Sequence, residues 1–202
     1  MGARLTSDER REHLLHVGVE LLGRHGTADI SIEEIARTAG VSKGLLYHYF
    51  PTKNDFFLAV LARSQAEIDQ ELVRDPELSA LERFDRNLDG FLRFVDAHAE
   101  GYLAVVNARG REPRVQQLVE ERRRRRVDEL VALAAVLVDA PRDAVRTPLL
   151  VAAIEGWIGF TEGVILRWLR DREISPEDVH ELLRRALLEA FGAALPHLER
   201  PA

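Results

Sequence analysis

One stretch constrains the chain more than any other: Ser31 to Lys53, SIEEIARTAGVSKGLLYHYFPTK. Ser31 has N-cap chemistry, and Glu34 three residues on completes a capping box. Ile32, Ile35, Ala36 and Ala39 give the helix that follows one apolar face. Gly40 is the residue that tolerates positive φ at a turn, and Val41 is an apolar plug beside it. Ser42 caps a second helix, Lys43 to Phe50, in which Leu46 and Phe50 lie one turn apart and face inward. Lys43, Gly44, Tyr47 and His48 are left outside. A short helix presenting a cation, a glycine, a phenol and an imidazole is suited to a polar surface. In a helix-turn-helix that surface is the DNA major groove.

The run from Ala39 to Lys53, read as A-G-V-S-K-G-x-L-Y-x-Y-F-x-x-K, resembles the signature of the TetR family of bacterial transcriptional regulators. The motif spans the first quarter of the chain. The resemblance implies an all-α protein with an N-terminal three-helix helix-turn-helix DNA-binding domain over residues 6–55. A C-terminal helical ligand-sensing and dimerisation domain over residues 56–200 is implied after it. The implied function is that of a ligand-responsive regulator, a repressor by family habit. It would bind a palindromic double-stranded DNA operator as a homodimer and be released by a small-molecule effector. No cofactor and no metal are expected.

Composition fits these expectations. The chain has 202 residues and no cysteine, which excludes a disulfide framework and a thiolate metal site. Leu149 to Leu169 is interrupted by Glu155, Glu162 and Arg167, so no membrane span is expected. The start, MGARLTSDERRE, lacks the apolar core of a signal peptide, and a cytoplasmic location is expected. The net charge of -6 at first opposes nucleic-acid binding. Its distribution softens the objection: residues 1–55 hold seven Lys/Arg and eight Asp/Glu, near neutrality. Both lysines, Lys43 and Lys53, lie in the organising stretch. Only the docking face must meet phosphates.

In chain order, Thr6 and Glu9 form a capping box that opens a first helix with Leu14, Gly18, Leu21 and Leu22 inward, ended by Gly26. Thr27 begins the link to Ser31, and its hydroxyl is a candidate phosphate contact. Thr52 and Asp55 cap a helix carrying Phe56, Phe57, Val60, Leu61 and Ile68 to about residue 74. Lys53 in its first turn opposes the helix dipole, a conflict that a nearby phosphate would relieve. Ser79 caps the next helix, and Tyr102 begins a short one ending near Gly110. Pro113 opens a long helix to about residue 138. Its run Arg122 to Arg126 reads as a solvated face, because five successive residues point all round a helix axis. Thr147-Pro148 and Ser175-Pro176 are cap-plus-proline starts for two long helices. Gly156, Gly159 and Gly163 on the first of them each cost up to about 1 kcal/mol. Gly192 ends the second.

Within the second short helix, direct or near-direct base contact falls to Lys43, Gly44 and Tyr47. Lys43 can donate to guanine O6 or N7, and Gly44 admits the backbone. Leu45 can rest on a thymine methyl. Ser42, His48, Tyr49 and Lys53 suit phosphates. The family often has histidine where this chain has Tyr49, which weakens the correspondence at His48 and Tyr49. The resemblance implies an effector cavity, for which Phe84, Phe91, Phe94, Tyr102, Trp157 and Phe160 are candidates against an ordinary packed core. It also implies dimerisation through the last two long helices, with Gly156, Gly159, Gly163, Val179, Leu183 and Leu187 as interface candidates. Two other classes compete. An enzyme would need a catalytic or metal set, and neither His13/His16 nor Asp96/His98/Glu100 matches one; His13 and His16 read as a solvated face. A helical interaction module would keep the fold without operator binding.

Overall fold

The computed structural model describes residues 6–195 apart from 30, 72, 74, 100–101, 104–105 and 107–112. In chain order the helices are α1 (Ser7–Asp29), α2 (Ile32–Thr38), α3 (Lys43–Tyr49), α4 (Lys53–Glu71), α5 (Ala80–Ala97), α6 (Pro113–Leu137), α7 (Arg142–Val145), α8 (Pro148–Asp171) and α9 (Pro176–Ala194). No strand occurs among the described residues, and the all-α class expected from the sequence is the one observed. Two compact units form, residues 1–71 with 97–116 and residues 72–96 with 117–202.

The first unit is built on α1. Glu9 Oε2 accepts from the Thr6 backbone N–H at 2.8 Å and from its hydroxyl at 2.9 Å, closing the capping box. Leu14, Leu15, Val17, Gly18 and Leu21 turn inward and meet Phe56, Phe57 and Val60 of α4 in one core with Ile35, Leu46 and Phe50. Phe50 and Phe56 pack edge to face, 5.1 Å between ring centroids, so the end of α3 is locked to the start of α4. Arg63 of α4 pairs with Glu12 of α1 at 3.0 Å. Contrary to the sequence reading, α1 does not stop at Gly26 but runs on to Asp29. A glycine costs a helix only about 1 kcal/mol, too little to end one by itself. Thr27 therefore lies in the last turn of α1, and its side chain is outside the described residues. The short helix expected from Tyr102 falls largely outside them too; Tyr102 and Leu103 are helical.

In the second unit α8 and α9 pack together. Thr147 Oγ1 accepts from Leu150 N–H at 3.1 Å, and Ser175 Oγ from Asp178 N–H at 3.0 Å, so both starts are the caps expected. Trp157 of α8 donates its indole N–H to the Leu183 carbonyl of α9 at 2.8 Å. An acidic row on α5 meets basic groups at and beyond the end of α8: Asp85 takes Arg184 at 3.0 Å, Asp89 lies 3.6 Å from His180, and Asp96 pairs with Arg172. The arginine run on α6 is tied to its neighbours: Arg124 to Glu120, Arg126 to Glu129, and Arg123 to the Glu155 carbonyl at 2.9 Å. Arg124 and Arg125 lie on the solvated face expected, whereas Arg122, Arg123 and Arg126 are half-buried.

Three further expectations fail in this unit. Gly192 does not end α9, which continues to Ala194. α8 is long and apolar enough to cross a membrane by length and composition, so its interruption by Glu155, Glu162 and Arg167 is weaker than the sequence reading held. Only 28% of its most apolar window is buried. Most importantly, Val179, Leu183 and Leu187 are fully buried within this one chain, as are Leu150, Ile154 and Ile165 of α8. They fasten the helix pair internally and are not available to a second copy. The reason is rotational: residues one position along the helix, such as Leu182, lie on the next flank and stay exposed.

The outward face of α8 is a different one. Leu149, Ala152, Gly156, Gly159, Phe160 and Gly163 are all exposed and recur at helical spacing. A β-carbon added at any of those three glycines would meet nothing within 4 Å among the described residues. Among the described residues, nothing approaches the glycines closely enough to explain them.

Candidate nucleic-acid interface

Helix α2 starts where Ser31 Oγ accepts from the Glu34 N–H at 3.1 Å. It ends in a paired-bond turn: Gly40 N–H donates to Arg37 O at 3.1 Å and Val41 N–H to Ala36 O at 2.9 Å. Gly40 sits at φ 65°, the conformation that a glycine takes without strain in this cap. His13 of α1 adds a third bond at this end, donating from Nε2 to the Ala39 carbonyl at 3.2 Å. It is thus not merely on a solvated face, as its sequence position alone implied. The turn delivers Ser42, whose Oγ accepts from the Leu45 N–H at 3.2 Å and starts α3.

The orientation of α3 is fixed by what it buries. Leu46 is inaccessible and Phe50 nearly so. Lys43, Gly44, Tyr47 and His48 are exposed as a result, and Leu45 and Tyr49 are half-buried. A β-carbon at Gly44 would touch nothing among the described residues, so the outer side of α3 has room for a close backbone approach. The Lys43 ammonium lies 5.9 Å from the Tyr47 ring centroid. His48 meets Tyr49 edge to face at 5.3 Å.

Two of the phosphate candidates are already engaged. The Tyr49 hydroxyl lies 3.3 Å from Ser7 Oγ in the first turn of α1, so it is held at the end of that helix. Lys53 places its ammonium 5.3 Å from the Phe57 ring centroid, which offsets part of its conflict with the α4 dipole. Ser42 uses a lone pair for its cap and keeps its own hydroxyl proton to donate.

Two residues of this surface escaped the sequence reading. Ser7 is the partner of Tyr49, across 42 positions of chain that no local pattern connects. Glu33 pairs with Lys43. Its contact with the Lys43 ammonium holds the Glu33 carboxyl below its ordinary range and raises the Lys43 ammonium above its own. Both keep their charge at neutral pH.

The six aromatic candidates do not form one set. Phe84 and Trp157 come together, 6.2 Å between centroids. Phe84, Phe91 and Phe94 are half-buried on α5. Trp157 is buried, with its N–H committed to Leu183. Tyr102 belongs to the first compact unit and the others to the second. Phe160 is 43% exposed on the outward face of α8, because its position there follows Gly156 by one turn; it is not an inner residue. Close to Trp157, Thr161 is buried, and its hydroxyl finds no partner among the described residues.

Known proteins share both parts of this chain. The model of bacterial regulatory proteins of the tetR family matches residues 14–60. That of the tetracyclin repressor-like C-terminal domain matches residues 81–190. The HTH-type transcriptional repressor NemR of Escherichia coli K12 is 40% identical over 67 residues, 33% of this chain and 34% of that protein. The HTH-type transcriptional regulator EthR of Mycobacterium tuberculosis H37Rv is 29% identical over 150 residues, 72% of this chain and 68% of that protein. The chain thus spans about a third of the length of NemR. A tetR-family transcriptional regulator from Streptomyces coelicolor superposes with a TM-score of 0.77 at 26% identity, over 96% of this chain and 83% of that one. The helix-turn-helix geometry and the two matched segments, of which the second alone covers more than half of the chain, lead to one conclusion: this protein belongs to the TetR family of bacterial regulatory proteins.

Proposed function

We propose that the chain is a ligand-responsive transcriptional repressor that binds a palindromic operator as a homodimer in the cytoplasm. The observation that carries this reading is α3 itself. Leu46 and the C-cap Phe50 are spent on the core, and Lys43, Gly44 and Tyr47 are left on the exposed side. Lys43 is assigned to a guanine edge, Gly44 to close backbone approach, and Leu45 to a thymine methyl. Ser42 and His48 are assigned to phosphates, with Tyr49, Lys53 and Thr27 as lesser contributors.

One such helix touches few base pairs. Two related by a dyad reach successive major grooves about 34–36 Å apart and read an inverted repeat. We assign the partner surface to the outward face of α8, with Gly156, Gly159, Gly163 and Phe160, flanked by Leu182 of α9. An exposed apolar row with glycines that nothing among the described residues explains is suited to a close helix–helix contact with a second copy. Residues 6–55 act as the reader, whose core is completed by Phe56, Phe57 and Val60 of α4, and the rest of residues 56–200 sense and dimerise. Phe84, Phe91, Phe94 and Trp157 are the effector-facing candidates. Effector binding shifts the dimer toward a state with lower operator affinity. Repression rather than activation follows the description of NemR as a transcriptional repressor.

The test is selection of bound duplexes from a random pool at one stated salt concentration, with Tyr47→Ala as control. A recovered inverted repeat that is lost in the control supports the reading. Recovery of no consensus, or of one unchanged in the control, removes it.

A further inference from the structure

The recognition surface carries a carboxylate in contact with its leading cation. Glu33 stands in the first turn of α2, ten residues before Lys43, and its Oε1 accepts from the Lys43 ammonium. The Tyr47 ring flanks the same ammonium. The first residue of α3 is thus held between an acid and an aromatic face.

Stability does not account for this acid. Both partners are exposed, and exposed pairs contribute little. The α2 N-terminus is already served by the Ser31 cap and by Glu34. For a protein that docks on phosphates, a carboxylate beside the leading cation is a cost. That cost is useful only if it falls unequally on different duplexes.

We propose that Glu33 is a specificity-determining residue, which sets the price of non-cognate DNA by holding Lys43. This rests on α3 being the recognition helix. On a duplex without the operator bases, Lys43 can gain only a phosphate. A phosphate taken while the ammonium keeps Glu33 is set against that carboxylate, anion to anion. One taken by leaving Glu33 exposes the carboxylate to a polyanion. The guanine edge is uncharged and brings neither cost. On the operator, guanine O6 and N7 lie in the groove. An ammonium has three donors, so it serves a guanine edge and keeps Glu33. Non-specific binding is suppressed and specific binding is spared.

The test uses the full-length protein as Glu33→Gln, Lys43→Gln, the double variant, and Glu12→Gln. The last removes the same charge from the same unit, at the pair with Arg63. Affinity is measured for the duplex selected by the wild type and for a scrambled duplex, between about 50 and 200 mM salt. Glu33→Gln is expected to bind the scrambled duplex about three- to tenfold more tightly and to lower the operator-to-scrambled ratio. Its salt slope on scrambled DNA steepens by about 0.9 for each freed lysine. In the Lys43→Gln background the same change leaves the slope unaltered. An unchanged ratio and slope in Glu33→Gln overturns the proposal, as does an equal effect in Glu12→Gln. A wild type that selects no consensus fails the recognition-helix reading itself. A wild-type consensus with an unaltered ratio fails only the role of Glu33.

Discussion

Gly18 of α1 lies against Phe56 of α4 with no space for a side chain: a β-carbon there would stand 2.7 Å from Phe56 Cζ and 2.4 Å from Val60 Cγ2. The glycine lets α1 press onto α4. Gly18→Ala should destabilise the protein by about 1–3 kcal/mol, since overpacking outweighs the gain in helix propensity. Urea unfolding checks this, and an unchanged or raised midpoint would show that the two helices separate freely.

Gly44 is the opposite case. It is exposed on α3, with nothing among the described residues near its missing β-carbon. Gly44→Ala should stabilise the free protein by up to about 1 kcal/mol and weaken operator binding. Thermal unfolding and a binding titration on the same variant separate the two effects. A variant that is more stable and binds as well as the wild type would mean that the α3 backbone does not approach DNA at this point.

Thr161 is buried with a hydroxyl that lacks a partner among the described residues. Thr161→Val removes that hydroxyl at nearly the same shape and is expected to raise stability by about 1–3 kcal/mol. A fall in the unfolding midpoint would show that the hydroxyl is satisfied in solution.

Acid sensitivity follows from two capping boxes. Hydrogen bonds from the Thr6 backbone N–H and then its hydroxyl hold the Glu9 carboxyl below its ordinary 4.5. The Ser79 hydroxyl and then its backbone do the same for Glu82. A carboxyl whose pKa is lower in the folded state stabilises that state above the unfolded value. The benefit is lost as pH falls through the folded one. Helicity should therefore drop below about pH 4.5. Glu9→Gln and Glu82→Gln should each flatten that limb in circular dichroism, and curves that superpose on the wild type would refute the assignment.

The proposed dimer surface is tested by Phe160→Asp. Phe160 is exposed, so the chain tolerates the change internally. Light scattering should show a monomer, and operator affinity should fall at least about tenfold with loss of the second half-site. A dimer of unchanged strength would place the interface elsewhere.

The legible parts of the fold were those written in local chemistry. Ser31, Ser42, Thr147 and Ser175 were identifiable as caps because a hydroxyl three residues ahead of an N–H is a short-range signal, and each accepts that bond. Gly40 was legible for the same reason. Gly26 and Gly192 misled because a glycine permits a helix end without requiring one. Val179, Leu183 and Leu187 misled because α9 is apolar around more than one flank. Which flank turns inward is decided by α8, not by spacing within α9. On the recognition surface, the outward set was readable from Leu46 and Phe50. The pairs Glu33–Lys43 and Ser7–Tyr49 were not, since they depend on how α1, α2 and α3 are stacked.

In the proposed dimer, the outward glycines of α8 would make order and assembly one event. A helix that is only partly buried in its own unit, and weakened by Gly156, Gly159 and Gly163, draws its remaining stability from whatever covers it. With a second copy as that cover, the melting temperature of this protein rises with its concentration by mass action. A bacterium holding few copies would then keep part of the pool as open, less ordered single chains. The abundance of the regulator would set not only how often an operator is filled but how much of the protein is in a form able to fill it.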